Sequence, residues 1–385
     1  MTTDTTQTLQ IPNLLPTELE DDLRSSVRAL LADRIPFDAV AALYDAPGTD
    51  TREYDTALGT ELGLAGLLVP EALGGVGATV SEAAVVAEEI GRAVAPVKFL
   101  SSAVLATSLA VRAGADDLAS ALASGEALAA IAFTATSSSL VSDLALGGVP
   151  EIGSEVTVSG SVPGVMEASG VDTLLVVVGT GQDTAVIAVP AENAEIHPFL
   201  TFDMSRPLAD VDFHDSAGTV LATGAEAAQA VGETVLIGRT VLAAEQAGAA
   251  SRAFEIALEY IKGRRQFGRT IGSYQAIKHR MADLWLEVEQ AGAAATYAAR
   301  TVASWQAGEE SLSEAELVSL VAAAYVGPVA VHATEEAVQM HGGNGMTWEY
   351  PLHLLLKRAK QDEQILGLPE HAQAELAPLV GLTVE

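Results

Sequence analysis

Residues 260–283 read YIKGRRQFGRTIGSYQAIKHRMAD. Two helix-forming stretches meet there at a short glycine-containing corner that carries Arg264, Arg265 and Arg269. The chain's formal net charge is -31, so three clustered cations mark a local demand for positive charge, of the kind a phosphate-bearing ligand creates. Basic residues at a helix C-terminus are also favoured by the helix dipole, and the corner alone does not separate the two readings. Beyond it, Ile277, Met281, Leu284, Trp285 and Val288 recur at helical spacing and give an amphipathic stripe.

The rest of the chain bounds what the corner can serve. Its 385 residues suffice for two or three core-forming units, and 49% hydrophobic against 18% charged residues marks a globular protein. Alanine dominates the apolar share and aromatics are 5%, which favours close-packed helices. There is no cysteine, so disulfides and thiolate metal sites are excluded, and the histidines lack metal-binding spacing, so no metal is expected. The polar, acidic start has no signal-peptide pattern, and no run of apolar residues reads as a membrane span; a cytoplasmic protein without membrane insertion is expected. An excess of 51 acidic over 20 basic residues argues against nucleic acid as a partner, though not against a nucleotide cofactor held by a few arginines.

Working outward, the order is helix, strand, helix. Leu19, Leu23, Val27, Leu30 and Leu31 follow Pro16 and Thr17 with helical spacing. Thr51–Leu64 is a weaker helical stretch. Gly74, Gly75 and Gly77 mark a loop before a helix opening near Ser81 and ending near Ala93, and residues 101–125 are Ala/Leu-rich and helical. From about Leu128 short Val/Ile/Thr-rich runs (AIAFTAT, EVTVSGSV, TLLVVVG, TAVIAVP, ADVDFHD) alternate with turn residues and predict a small β-barrel or sandwich. Helical periodicity resumes near Gly224. The expectation is an α+β protein with a helical domain over 1–127, a β domain over 128–223 and a helical domain over 224–385.

Three motifs in this order resemble the acyl-CoA dehydrogenase family nearly end to end. They are LLVPEALGGVGATVSEAAVVAEEIGRAVAP, RRQFGRTIGSYQAIKHRMADL and AVQMHGGNGMTWEYPLHLLLKRAK. The resemblance implies a C-terminal four-helix bundle, FAD, and α,β-desaturation of an acyl-CoA thioester. It also implies a homotetramer or α2β2 heterotetramer, with an electron-transferring flavoprotein as acceptor. Carried over by position, Arg264, Phe267 and Gln275, with Gln339, Gly342, Gly343 and Gly345, would hold the adenine and pyrophosphate end of FAD, commonly the neighbouring subunit's. The chemistry agrees: guanidinium pairs with phosphate, glycine lets backbone N–H groups approach, and a phenyl ring offers a face to adenine.

The chain departs from the family pattern where chemistry is done. Desaturation needs a carboxylate to take the α-proton while hydride leaves Cβ for flavin N5. The usual position, directly before a glycine, holds Leu366 before Gly367. The alternative, directly before Arg239, holds Gly238. Glu245, on the same helix among Ala243, Ala244, Ala247 and Gly248, is the remaining candidate base, and partial desolvation there would raise its pKa; an ordinary acidic residue on a helix face is the competing reading. Asp362 and Glu363 read as a solvated acidic face, and His341 as a loop residue. Arg239 is a candidate substrate contact. In the β domain the family's Trp is replaced by Val165 or Met166. Thr134 and Thr136 remain as hydroxyls that would bond a flavin edge or merely cap a loop. Three functions follow: a dehydrogenase acting alone, a subunit lending its arm to a partner's flavin, or an acyl-CoA-binding scaffold.

Overall fold

The computed structural model describes residues 12–148 and 150–382; residues 1–11, part of the polar start that argued against a signal peptide, lie outside it. The N-terminal third folds as α1 (Glu18–Arg34), α2 (Phe37–Ala42), α3 (Arg52–Thr56), α4 (Val80–Ala93), α5 (Thr107–Arg112) and α6 (Asp116–Ala123). Thr17 and Glu20 close a reciprocal capping box on α1, as Pro16-Thr17 suggested. Thr79 and Glu82 do the same for α4, two residues before the expected start. The single helix expected over 101–125 is broken, because Phe99–Ala106 winds as a wide π-type turn and Gly114 takes φ +68.

The middle segment forms β1 (Ala129–Ile131), β2 (Ala145–Gly147), β3 (Glu155–Met166), β4 (Thr173–Val178), β5 (Ala185–Pro190), β6 (Ala194–Phe199) and β7 (Leu208–Thr223). They make one hydrogen-bonded sheet in the order β1-β4-β5-β7-β3-β2, with β6 on β7. β1 runs parallel to β4 and the other pairs are antiparallel. β7, 16 residues long, pairs with β6 at its start and β5 at its end, so the sheet folds over a core that includes Val158, Val176, Ile187 and Phe213. The opposite face, including Leu175, Val177 and Val186, joins the helical core.

The C-terminal part comprises α7 (Gly224–Gly263), a hairpin of β8 (Arg265–Gln266) and β9 (Arg269–Thr270), then α8 (Gln275–Gln306), α9 (Leu312–His341), α10 (Leu352–Asp362) and α11 (Pro369–Leu379). α7 is the axis, packed against α4, α8 and α9, while α10 and α11 lie along α9. A helix this rich in small residues is buried on every side over Leu236–Ala250. The α4–α7 crossing shows why: a Cβ at Gly91 would stand 1.9 Å from the Glu245 carbonyl, and one at Gly248 would stand 2.0 Å from the Glu88 carbonyl. Gly248→Ala should therefore push the helices apart and destabilise by about 1–3 kcal/mol, read as an earlier denaturation midpoint. An unchanged midpoint would refute the contact.

Among the described helices, one extending over Leu312–Met346 is long and apolar enough to cross a membrane. Of its most apolar window 61% is buried inside the protein, as a core helix requires.

Candidate functional site

The arginine corner is a projection. α7 is C-capped by Arg264, whose N–H donates to the Tyr260 carbonyl at 2.8 Å. The chain then turns through Phe267 (φ +52) and Gly268 (φ +80), both left-handed, as a two-residue hairpin loop demands. A bulky aromatic there is strained, and Phe267 stands 93% exposed, so no packing within this chain offsets that strain. Arg265 donates back to the Gly268 carbonyl (3.2 Å), and Arg269 lies over the Tyr274 ring (3.6 Å). Among the described residues neither Arg264 nor Arg269 has a hydrogen-bond or ion-pair partner for its side chain, and Arg264 lacks the ring contact that Arg269 makes. Gln275 opens α8, whose N-terminus has neither a side-chain cap nor an acidic residue in its first turn, an arrangement suited to an anion.

Tyr260 joins this corner to the second half of the arm. Its ring stacks on His341 at 3.9 Å, and its hydroxyl accepts from Asn344 Nδ2 at 3.1 Å. Gln339, on the last turn of α9, is exposed, as are Gly342 and Gly343 in the 3-10 turn Gly342–Met346. Gly342 takes φ +58, and a Cβ at Gly345 would meet the Val338 carbonyl at 2.6 Å, so this turn admits only glycine at both places. Tyr260, one turn before Arg264, thus ties the corner to the glycine turn, while Arg264, Phe267 and Gln275 themselves are exposed. His341 is not a loop residue: it ends α9, is buried, and is held below its usual pKa by that burial.

The opposite side is closed. Leu366 sits in the left-handed region (φ +58) and donates its N–H to the Ala135 carbonyl at 3.0 Å. A Cβ built on Gly238 would lie 3.1 Å from Leu366 Cδ1 and 2.4 Å from Leu105 Cδ2. The two base positions therefore converge on one spot, which two leucines fill.

Glu245 corrects the expectation made for it. The surrounding alanines are buried, but the carboxylate is neither half-solvated nor vacant: Arg206 Nη2 donates to both its oxygens at 2.9 Å, and Arg358 Nη1 to one at 2.7 Å. A carboxylate holding two forked guanidiniums is engaged as an acceptor.

These residues belong to a larger cluster. Arg206 also donates to Asp362 (2.6 Å) and Glu167 (3.3 Å), while Arg358 donates to Asp203 (2.6 Å), Ser205 (2.7 Å) and the Ala95 carbonyl (3.3 Å). Ser101 donates to Glu167 at 2.5 Å. All six charged side chains are buried. Burial pushes the Glu167 carboxyl up, with Arg206 opposing. Burial would also raise Asp203, but Arg358 and Ser205 hold it below its usual value. Asp362 was expected on a solvated acidic face; it lies instead at the bottom of the cluster. There burial, opposed by Arg206 and reinforced by Glu245, pushes it up to about 7.

Two clefts flank this centre. One of about 460 Å³ lies between the β4–β5 turn, α7, α9 and α11, and Arg239 is in its wall. That guanidinium is gripped by Glu375 (2.8 and 2.9 Å) and donates to the Ser138 carbonyl at 3.3 Å. The other, about 300 Å³, is lined by Thr136, Phe199, Leu200, Phe202 and Gln361. Thr134 instead bridges to Val165 through the backbone and is half-buried. Val165 and Met166 are packed into the core.

The model of the acyl-CoA dehydrogenase N-terminal domain matches residues 17–122, and that of the C-terminal domain matches residues 228–373. The chain is 32% identical over 367 residues to acyl-CoA dehydrogenase IpdE2 of Mycobacterium tuberculosis, covering 94% of this chain and 98% of that protein. It is 33% identical over 308 residues to FadE34 of the same organism, covering 80% of this chain and 39% of that one. Among solved structures it resembles a variant of the Tcur3481-Tcur3483 steroid ACAD (25% identity, TM-score 0.81, 94% of this chain and 98% of that one). Butyryl-CoA dehydrogenase from Megasphaera elsdenii shares the fold (20% identity, TM-score 0.84, 96% of this chain and 100% of that one). The chain belongs to the acyl-CoA dehydrogenase family.

Proposed function

We propose that this chain is the arm-lending subunit of an FAD-dependent acyl-CoA dehydrogenase assembly, in which an unlike subunit carries the base and the flavin-ring pocket. Bound FAD supplies the hydride acceptor for desaturation of an acyl-CoA thioester. Toward it, this chain contributes Arg264 for the pyrophosphate, Phe267 for the adenine face, and the Gln275, Gln339 and Gly342–Gly345 backbone for the remaining polar edges. The fit is one-sided. The arm is built and open, whereas the ring side offers two leucines where a base belongs and buried side chains at the tryptophan position.

That asymmetry carries the reading. IpdE2 is itself named an acyl-CoA dehydrogenase, and the Tcur3481-Tcur3483 structure is named for two chains, which favours an α2β2 assembly over a homotetramer. Reoxidation by an electron-transferring flavoprotein is the expected outlet. Arg239, held by Glu375 in the wall of the larger cleft, is assigned to acyl-CoA positioning rather than to chemistry.

The visible spectrum tests this directly. Purified alone, the chain should be colourless; co-expressed with an unlike chain of the same family, the complex should carry about one FAD per pair of unlike chains. A full complement of FAD on the isolated chain would sink the proposal.

A further inference from the structure

The buried cluster has a charge problem that its geometry leaves open. Arg206 and Arg358 face four carboxyls, Glu167, Asp203, Glu245 and Asp362, so the fully ionised cluster has two negative charges in excess. Asp362 Oδ1 accepts from Arg206, but its other oxygen, Oδ2, is buried with no hydrogen-bond partner among the described residues. A buried carboxyl with one bonded and one orphaned oxygen fits the neutral acid, whose charge need not be compensated. The cluster is also the place where the three parts of the fold are tied. Ser101 and the Ala95 carbonyl come from the N-terminal third, Glu167, Asp203 and Arg206 from the sheet, and Glu245, Arg358 and Asp362 from α7 and α10.

We infer that a single proton on Asp362 latches the Asp203–Pro207 segment of the sheet domain onto α7 and α10, and that losing it as pH rises loosens this junction. The charged groups around Asp362 come from several elements, and α9, which also packs on α10, presents Glu335, paired to Lys360 at 2.9 Å. Arg206 approaches from the segment before β7, Glu245 from α7, Arg358 from its own helix, and Asp203 from the β6–β7 connection. Glu167 stands behind Arg206, with Lys98, itself paired to Asp55 at 3.0 Å, beyond it. None of these can supply a compensating cation, because both arginines are already shared.

The sign follows from linkage. Asp362 has a raised pKa in the closed state and an ordinary one once the junction opens, so the closed state binds the extra proton. The latch is therefore strongest at the acid end of the window between the usual aspartate value and about 7, and weakens as pH rises through it. The Phe199–Phe202 stretch, which leads into the latch and lines the smaller cleft, would loosen with it.

Hydrogen exchange of the full chain, with labelling times scaled for intrinsic rates, tests this. Between about pH 6 and about pH 8.5 the protection of 200–208 and 358–366 should fall roughly tenfold, with α8 unchanged as the internal control. Asp362→Asn, a neutral isostere, should abolish the difference and hold the segments at their acid-side protection. Glu167→Gln, which removes one of the excess charges elsewhere in the cluster, should shrink it and serves if the first variant does not fold. Equal protection at both pH values in the wild type, or an undiminished pH step in both variants, would overturn the inference.

Discussion

Arg206→Ala is expected to cost about 3–5 kcal/mol, enough to drive much of the protein into the insoluble fraction. The reason is the company that Arg206 keeps. It is fully buried and is the one residue bonded to Glu167, Glu245 and Asp362 at once. Its removal strands three carboxyls around Arg358, which touches only Glu245 of the three. Lysine would not rescue it, because its compact ammonium lacks the planar fork by which Nε, Nη1 and Nη2 of Arg206 each reach a different carboxyl. Glu245→Gln separates structural from catalytic use of that carboxylate. As a tie between two arginines, its loss lowers the denaturation midpoint, and any loss of turnover in the assembled enzyme follows the folded fraction. As a base, its loss would abolish turnover with the midpoint unchanged. Denaturant titration followed at a sheet probe and a helix probe gives the comparison, since a chain of several domains need not unfold in one step.

Sequence patterning does not reveal the cluster. Glu245 was legible as an acid among small residues, and small residues on α7 do mean burial. What compensates that burial comes from Arg206 and Arg358, which are 39 and 113 residues away in sequence and have no periodic relation to α7. Only the fold joins them. Asp362 was misplaced for the same reason: it closes a helix that reads Lys-Arg-Ala-Lys-Gln-Asp, which looks solvated until Arg206 arrives from the sheet.

Local signals did better. Thr17 and Glu20, or the continuous apolar runs of β4 and β5, act through neighbours within a few residues, and the corresponding elements appear where the pattern puts them. β2 and β6 gave no such signal. β2 has three residues, and β6 is largely exposed and carries Pro198, so neither shows an apolar alternation. The arginine corner and the glycine turn were legible as motifs because their residues are locally contiguous. That the corner faces solvent, whereas the base positions are sealed by Leu105 and Leu366, required coordinates: Leu105 comes from a π-type turn that residue spacing does not reveal.

Arg264→Ala should weaken FAD retention by the assembly by about 10- to 100-fold, the equivalent of one charge-assisted contact to phosphate at about 1.5–3 kcal/mol. Stability of the isolated chain should hardly change, because Arg264 is exposed and its side chain has no hydrogen-bond or ion-pair partner among the described residues. The two measurements together matter: a structural arginine would move the denaturation midpoint, and a solvated helix end would move neither quantity. Arg265→Ala is the internal comparison. Its guanidinium is engaged by the Gly268 carbonyl, so its effect on flavin should be the smaller of the two. Phe267→Ala adds a second axis. The substitution relieves little strain, since φ stays positive, but it removes the exposed ring, so flavin release should quicken while the salt dependence of binding stays as in the wild type. Losing Arg264 should flatten that salt dependence, because the contact it removes is ionic. If Arg264→Ala retains flavin with wild-type affinity and salt response in the assembled complex, the corner is a helix terminus and the arm assignment fails.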